Sequence, residues 1–184
     1  MFKFRGGHLA LDLPATLTGR LRSEQRDLLA SPADLARWLV AAGLVARKPA
    51  ASDDDLRQAR TLREALYRLA VARISGEPYA ARDRAIVNRF AATPPPAPRL
   101  ERDGMSWRRE GVPTLLAVIA RSAVELFGCE TSGRIRRCSG EGCATLFVDN
   151  SRSGHRKWCS MAGCGNKAKV ASFRSKLSHD VRSR

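Results

Sequence analysis

The sequence predicts an α+β chain, mainly α. A helical N-terminal domain carries a small β-hairpin, and a short C-terminal module follows, built from a knuckle, a hairpin and a helix. Three observations predict this. Apolar residues recur at helical spacing in several segments of residues 1–133. A Pro-rich connector and an Asp-Gly pair separate two of those segments. Four of the five cysteines fall into two matched pairs, Cys138/Cys143 and Cys159/Cys164, near the C-terminal end.

The elements follow in order. Phe2 and Phe4 alternate with Lys3 and Arg5 and predict a short strand, turned by Gly6-Gly7, while residues 8–13 fit strand or helix. Ser31-Pro32-Ala33-Asp34 predicts a helix start, with Ser as N-cap and Pro at the first helical position. Leu35, Trp38, Leu39 and Ala42 then share one face, and Gly43 stops the helix. Ser52 caps a second helix, whose first turn holds Asp53, Asp54 and Asp55 against the positive helix end. Leu56, Ala59, Leu62, Leu66, Leu69 and Ala70 form its buried stripe, up to Ser75-Gly76.

Residues 79–91 predict a third helix, with Ala85, Ile86 and Phe90 as its core edge. Four prolines in residues 93–98 end it, since proline lacks the N–H that helix and ladder need. Leu100 to Trp107 then read as a hairpin turning at Asp103-Gly104. Residues 113–127 are the most apolar helix, with Leu116, Ile119, Ala120, Ala123 and Phe127 facing the core. No nucleophile elbow, phosphate-cradling loop, carboxylate pair or His cluster stands out in this part, so the expectation is not an enzyme. His8 is a lone histidine, read as structural.

Charge and hydropathy narrow the class further. No apolar run reaches the length of a membrane span. His8, Asp12 and Pro14 interrupt the apolar start, so the chain is expected in the cytoplasm, where thiols stay reduced. The net charge is +15, and residues 134–184 carry 12 Lys or Arg against 3 Asp or Glu. A basic end favours a polyanionic partner, because phosphate contacts release condensed counterions. Of the 33 basic residues 27 are Arg, and a GC-rich coding sequence is the weaker, alternative reading of that charge.

In each cysteine pair four residues intervene, and Gly140, Gly142 and Gly163 let the chain fold back so that both sulfurs face one point. Between the pairs, residues 144–149 predict a strand, residues 150–154 a turn, and residues 155–158 a return strand that brings the pairs together. Four converging thiolates suit one closed, tetrahedral structural Zn²⁺ site. Iron uses the same ligands, and two short-range disulfides or four free thiols are the other readings. So small a module lacks the apolar groups to fold by burial, which favours the metal. Cys129 reads as a buried apolar residue, and His155 as outside a complete ligand set.

After Cys164 an amphipathic basic helix is expected, with Val170, Phe173 and Leu177 on one face and Lys167, Lys169, Arg174 and Lys176 mostly off it. The module is therefore treble-clef-like. Such a helix can enter a DNA major groove, and Asn166 has the chemistry to read adenine. Arg152, Arg156 and Lys157 are candidate phosphate contacts at the hairpin tip. RNA is the second nucleic-acid reading, and a zinc-stabilised protein-interaction module the third. The same cations also balance a tetrathiolate zinc site, which carries about −2.

Residues 136–174, RRCSGEGCATLFVDNSRSGHRKWCSMAGCGNKAKVASFR, resemble the CGNR zinc-finger family of bacterial proteins. Here Cys164-Gly165-Asn166-Lys167 stands for Cys-Gly-Asn-Arg; Lys keeps the charge and loses the bidentate fork. The resemblance implies that Cys138, Cys143, Cys159 and Cys164 hold zinc. Gly6 to Asp12, SPADLARWLVAAGLV and LRQARTLREALYRL are similar to the ABATE domain. The family often has Asn soon after the position of Asp12, where this chain has Leu13-Pro14-Ala15-Thr16. Together the resemblances imply a stress-related transcription regulator, with residues 1–133 sensing or assembling and residues 134–184 contacting DNA. Asp12, Trp38 and Trp107 are candidates for a ligand pocket between the N-terminal helices.

Overall fold

The computed structural model describes residues 2–108 and 111–182, with side chains described for residues 2–105 and 111–174. Helix α1 (Leu9–Asp12) resolves the ambiguity of residues 8–13. His8 caps it, its Nδ1 accepting from the Ala10 amide at 3.4 Å. Residues 2–5 form no strand; they run extended, and Phe4 leans on Trp38 with ring centroids 6.1 Å apart.

A two-residue pair, β1 (Leu17–Thr18) and β2 (Arg26–Asp27), leads to α2 (Pro32–Ala41) and α3 (Asp53–Ser75). Both helices start at the expected serines, and each start closes a capping box, Ser31 with Asp34 and Ser52 with Asp55. Helix α3 ends at Gly76, whose φ of 74° is the left-handed cap. On helix α4 (Ala81–Ala92) Phe90 is buried and Ile86 half-buried against the core, as expected, but Ala85 is exposed and Asp83 and Val87 take inward places instead. The reason is an ion pair. Arg68 on α3 donates three hydrogen bonds to the Asp83 carboxylate, at 2.6 to 3.1 Å, so an acid can occupy a core-facing position.

Strands β3 (Ala97–Glu101) and β4 (Gly104–Arg108) form the expected hairpin, one residue out of the expected register. Glu101 pairs with Gly104, so Arg102-Asp103 make the turn. Helix α5 (Val112–Gly128) is the centre of the core. Leu115, Leu116, Ile119, Ala120, Ala123 and Leu126 are buried against α1, α3 and α4, while Phe127 is half-buried and meets Tyr79 edge-on. Arg63 of α3 is the least expected core member. At 4% exposure it is held by Asp27 at 2.7 and 2.9 Å and by Glu64 at 2.8 Å. Burial alone would raise the Asp27 pKa. The Arg63 bonds, the Leu29 amide and the Arg63 and Arg60 charges more than offset it, and the carboxyl lies below its usual range.

The C-terminal module departs from the expected hairpin. Strand β6 (Leu146–Val148) pairs antiparallel with β5 (Ile135–Arg137), upstream of the first cysteine, and residues 155–158 form no return strand. The first cysteine pair is therefore the tip of the hairpin. Strand alternation explains why this pairing wins. Leu146 and Val148 pack with Ile135 in the main core, and Phe147 points the other way, against Cys138 and Cys159. One strand thus walls both cores. The chain returns through a loop tied by Asp149, which is 1% exposed and accepts from Ser151 N, Ser151 Oγ and Arg156 N at 2.6 to 2.9 Å. Its carboxyl is held below the usual range, first by the Ser151 hydroxyl. A π-turn (Met161–Gly165) then opens α6 (Asn166–Arg182). Among the described residues no helix is long and apolar enough to cross a membrane.

Candidate metal centre and its basic helix

Cys138 leaves β5 with its amide bonded to Thr145 O at 2.9 Å. The Cys143 amide bonds Gly140 O at 2.9 Å, closing the first knuckle. Gly140 is required here, because a Cβ at that position would sit 3.0 Å from Cys164 Sγ. Cys159 arrives from the Asp149-tied loop, and its amide donates to Cys138 Sγ at 3.2 Å; Gly140 N adds a second donor to the same sulfur at 3.4 Å. The π-turn then sets Cys164 one turn on, fixed by the Gly163 amide on Ser160 Oγ at 3.2 Å.

The four sulfurs lie within 4.8 Å of one another, with Cys143 and Cys159 4.0 Å apart and Cys159 and Cys164 3.7 Å apart. Zn–S bonds of about 2.3 Å in a tetrahedron require sulfurs roughly 3.8 Å apart. The spacing is far too long for a disulfide, and all five cysteines are unpaired. Cys138 and Cys159 are 5% and 3% exposed, so the site is closed from below by Phe147.

The thiols' own chemistry agrees with a cation. The Cys143 thiol is drawn down to about 4 by its hydrogen bond with Cys159, while Cys159 is pushed up, first by that same bond. Cys164 is pushed up by burial. Without an ion Cys143 favours the thiolate while Cys159 and Cys164 resist it, and a divalent ion is what holds several thiolates at one point. The donor set fits one structural zinc ion, and with four sulfurs it leaves no open position. Among the described residues His155 and Cys129 stand outside the cluster, and Cys129 is exposed rather than buried as expected. It follows the last turn of α5, where no neighbouring element covers it.

The basic residues divide. Lys167, Lys169 and Arg174 are exposed on α6, as is Asn166, whose amide closes the π-turn on Met161 and Gly163. Arg152 and Lys157 are exposed on the return loop. Lys176 lies on α6 beyond the described side chains. Arg156 does not join them. It turns inward, donating to Trp158 O at 2.9 Å and Cys159 O at 2.7 Å, with its guanidinium 4.3 Å over the Phe147 ring. It braces the second knuckle.

Two of the candidate pocket residues, Asp12 and Trp38, serve capping and packing. Asp12 accepts from the Gly6 amide at 2.9 Å; burial pushes its carboxyl up, partly opposed by the Gly6 and Arg5 amides. Trp38 is 1% exposed. Trp107 sits on β4 opposite Pro98, and its side chain lies outside the described residues. Neither of two shallow surface cavities, of about 360 and 390 Å³, is lined by Asp12 or Trp38. Arg5, Arg22 and Asp149 are residues of this site that sequence reading missed. Arg5 approaches Cys159 and Arg22 approaches Glu141, each from over a hundred positions away, and nothing local marks them.

Residues 7–130 match the ABATE family, described as "Putative stress-induced transcription regulator". Residues 134–176 match the CGNR zinc finger. No curated protein matches the chain.

Proposed function

Because the chain belongs to the ABATE family and carries a CGNR zinc finger, we propose that it is a transcription regulator that contacts DNA through α6, the helix started by the zinc centre. One observation carries the reading. From Asn166 to Arg174 every side chain except Ala168 is exposed, and three of them are cations. A helix that buries so little gains little from its own fold, so its stiffness comes from the metal-anchored start and its face is left for a partner. Lys167, Lys169 and Arg174 supply phosphate contacts, with Arg152 and Lys157 beside them, and Asn166 supplies a base-reading amide. In this reading residues 1–133 sense a signal or assemble the regulator, residues 134–184 bind, and no catalysis is involved.

A second reading has its own support. Val170 and Phe173 are 42% and 64% exposed on the same helix, which suits a protein partner or the unstacked bases of RNA. Genome-wide footprinting of the tagged protein, with duplex binding measured across a salt series, separates the readings. DNA binding predicts discrete occupied sites and an affinity that falls by roughly a decade or more per threefold rise in salt for a few phosphate contacts. Lys169→Ala and Arg174→Ala should each reduce that slope by about one. Occupancy unchanged by both substitutions, or preferential capture of single-stranded RNA, would refute the DNA reading.

A further inference from the structure

Gly163 poses a question that the zinc ligands do not answer. Its φ is not positive, so the backbone there accepts any residue. What a side chain would meet is Arg5: an added Cβ would lie 3.1 Å from Nη1 and 3.6 Å from Nη2. The Arg5 guanidinium comes from the opposite end of the chain and places Nη1 3.9 Å from Cys159 Sγ. The adjoining backbone is pinned on both sides. Gly6 N donates to Asp12 Oδ1 at 2.9 Å, and Gly6 O accepts from Val148 N, on the strand that backs the cysteines, at 2.8 Å. A second arginine of the N-terminal domain, Arg22, reaches the other knuckle and donates to Glu141 O at 3.3 Å.

Four thiolates around one divalent ion leave a net charge near −2 at a largely buried point. A guanidinium beside the most buried half of the site offsets that charge, and an outer partner of a metal ligand orients it as well. The geometry points to Arg5 as a positioning residue of the zinc centre, supplied by the N-terminal domain, so that zinc loading and the docking of residues 4–12 form one cooperative unit. The zinc module then reports its metal state to the N-terminal domain through Arg5, Gly6 and Asp12. Gly163 lets the guanidinium approach without displacement, since a Cβ there would lie 3.1 Å from Arg5 Nη1.

The test uses the full zinc-loaded chain in competition with a chromogenic chelator. Arg5→Ala should weaken zinc binding roughly tenfold or more, in the range found for outer partners of metal ligands. Arg5→Lys should fall between. Gly163→Ala leaves Arg5 in the chain but crowds its guanidinium, with the new Cβ 3.1 Å from Nη1, and should weaken zinc by less than Arg5→Ala. Arg82→Ala, at an exposed position on α4, should leave zinc affinity unchanged. In the unsubstituted chain, stripping zinc should accelerate amide exchange at Gly6 and Val148 while Ile119 stays protected. Wild-type zinc affinity in both Arg5→Ala and Gly163→Ala, or Gly6 and Val148 protection that survives stripping, would overturn the proposal. Should Arg5→Ala fail to fold, Gly163→Ala and the exchange experiment decide alone.

Discussion

The helical core and the cysteine module are held by opposite means. Around α5 the stabilising burial is spread over many residues, among them Leu62, Leu66, Leu116 and Ile119 at no more than 1% exposure. Among the described residues the module's own buried cluster is Cys138, Phe147 and Cys159. One region distributes its stability, and the other concentrates it in a metal. Losing one core side chain should therefore wound the first region, whereas losing one ligand should abolish the second. Between them β6 serves both, with Leu146 and Val148 on one side and Phe147 on the other.

The largest expected effect breaks that comparison outright. Cys159→Ser, or stripping by chelator, removes a contribution of about 10–16 kcal/mol to the folding of the module. The start of α6 and both knuckles should lose amide protection while α3 and α5 keep theirs. Protection of Asn166 to Lys169 without metal would mean the module folds by burial after all. Next, Ile119→Ala should cost about 2–5 kcal/mol in a denaturant titration and leave one zinc per chain. Loss of zinc stoichiometry in that variant would show the two regions to be less separable.

A smaller effect sharpens the comparison through pH. Asp27 and Glu64 are held below their usual ranges; burial works against ionisation in both, and arginine hydrogen bonds more than offset it. Their contribution is present above the unfolded carboxylate pKa and is lost as pH falls through the lower folded values, so helical-core stability should decline below about pH 4. Zinc should leave earlier, at higher pH, because protons compete for its thiolates. Monitoring α-helix content and zinc release along one acid titration checks the order. The smallest effect is local. Ser52→Ala removes the cap on α3, whose hydroxyl accepts from the Asp55 amide at 3.1 Å, and should cost about 1 kcal/mol with no effect on zinc.

Legibility followed the same division. The α3 stripe from Leu56 to Ala70 is buried as its spacing predicted, and both serine caps formed, because helix periodicity and caps are local properties. The four-cysteine cluster was equally legible, since ligand type and spacing survive any change in the chain between them. Sequence reading failed where a partner elsewhere decided the outcome. Asp83 and Arg63 are buried charges whose companions, Arg68 and Asp27, cannot be assigned from periodicity. Arg156 was expected at phosphates and instead braces Cys159 O, because its reach depends on a loop shaped by Asp149.

By itself the sequence determined helices α2 to α5, the start of α6, and which four sulfurs meet one ion, since each of these is fixed within a few turns of chain or by ligand chemistry. Tertiary structure alone decided that β6 pairs backward with β5, that one strand walls two cores, and that Arg5 lies beside Cys159. Those outcomes depend on which distant surfaces are free to bury or to balance charge, and no local pattern carries that information.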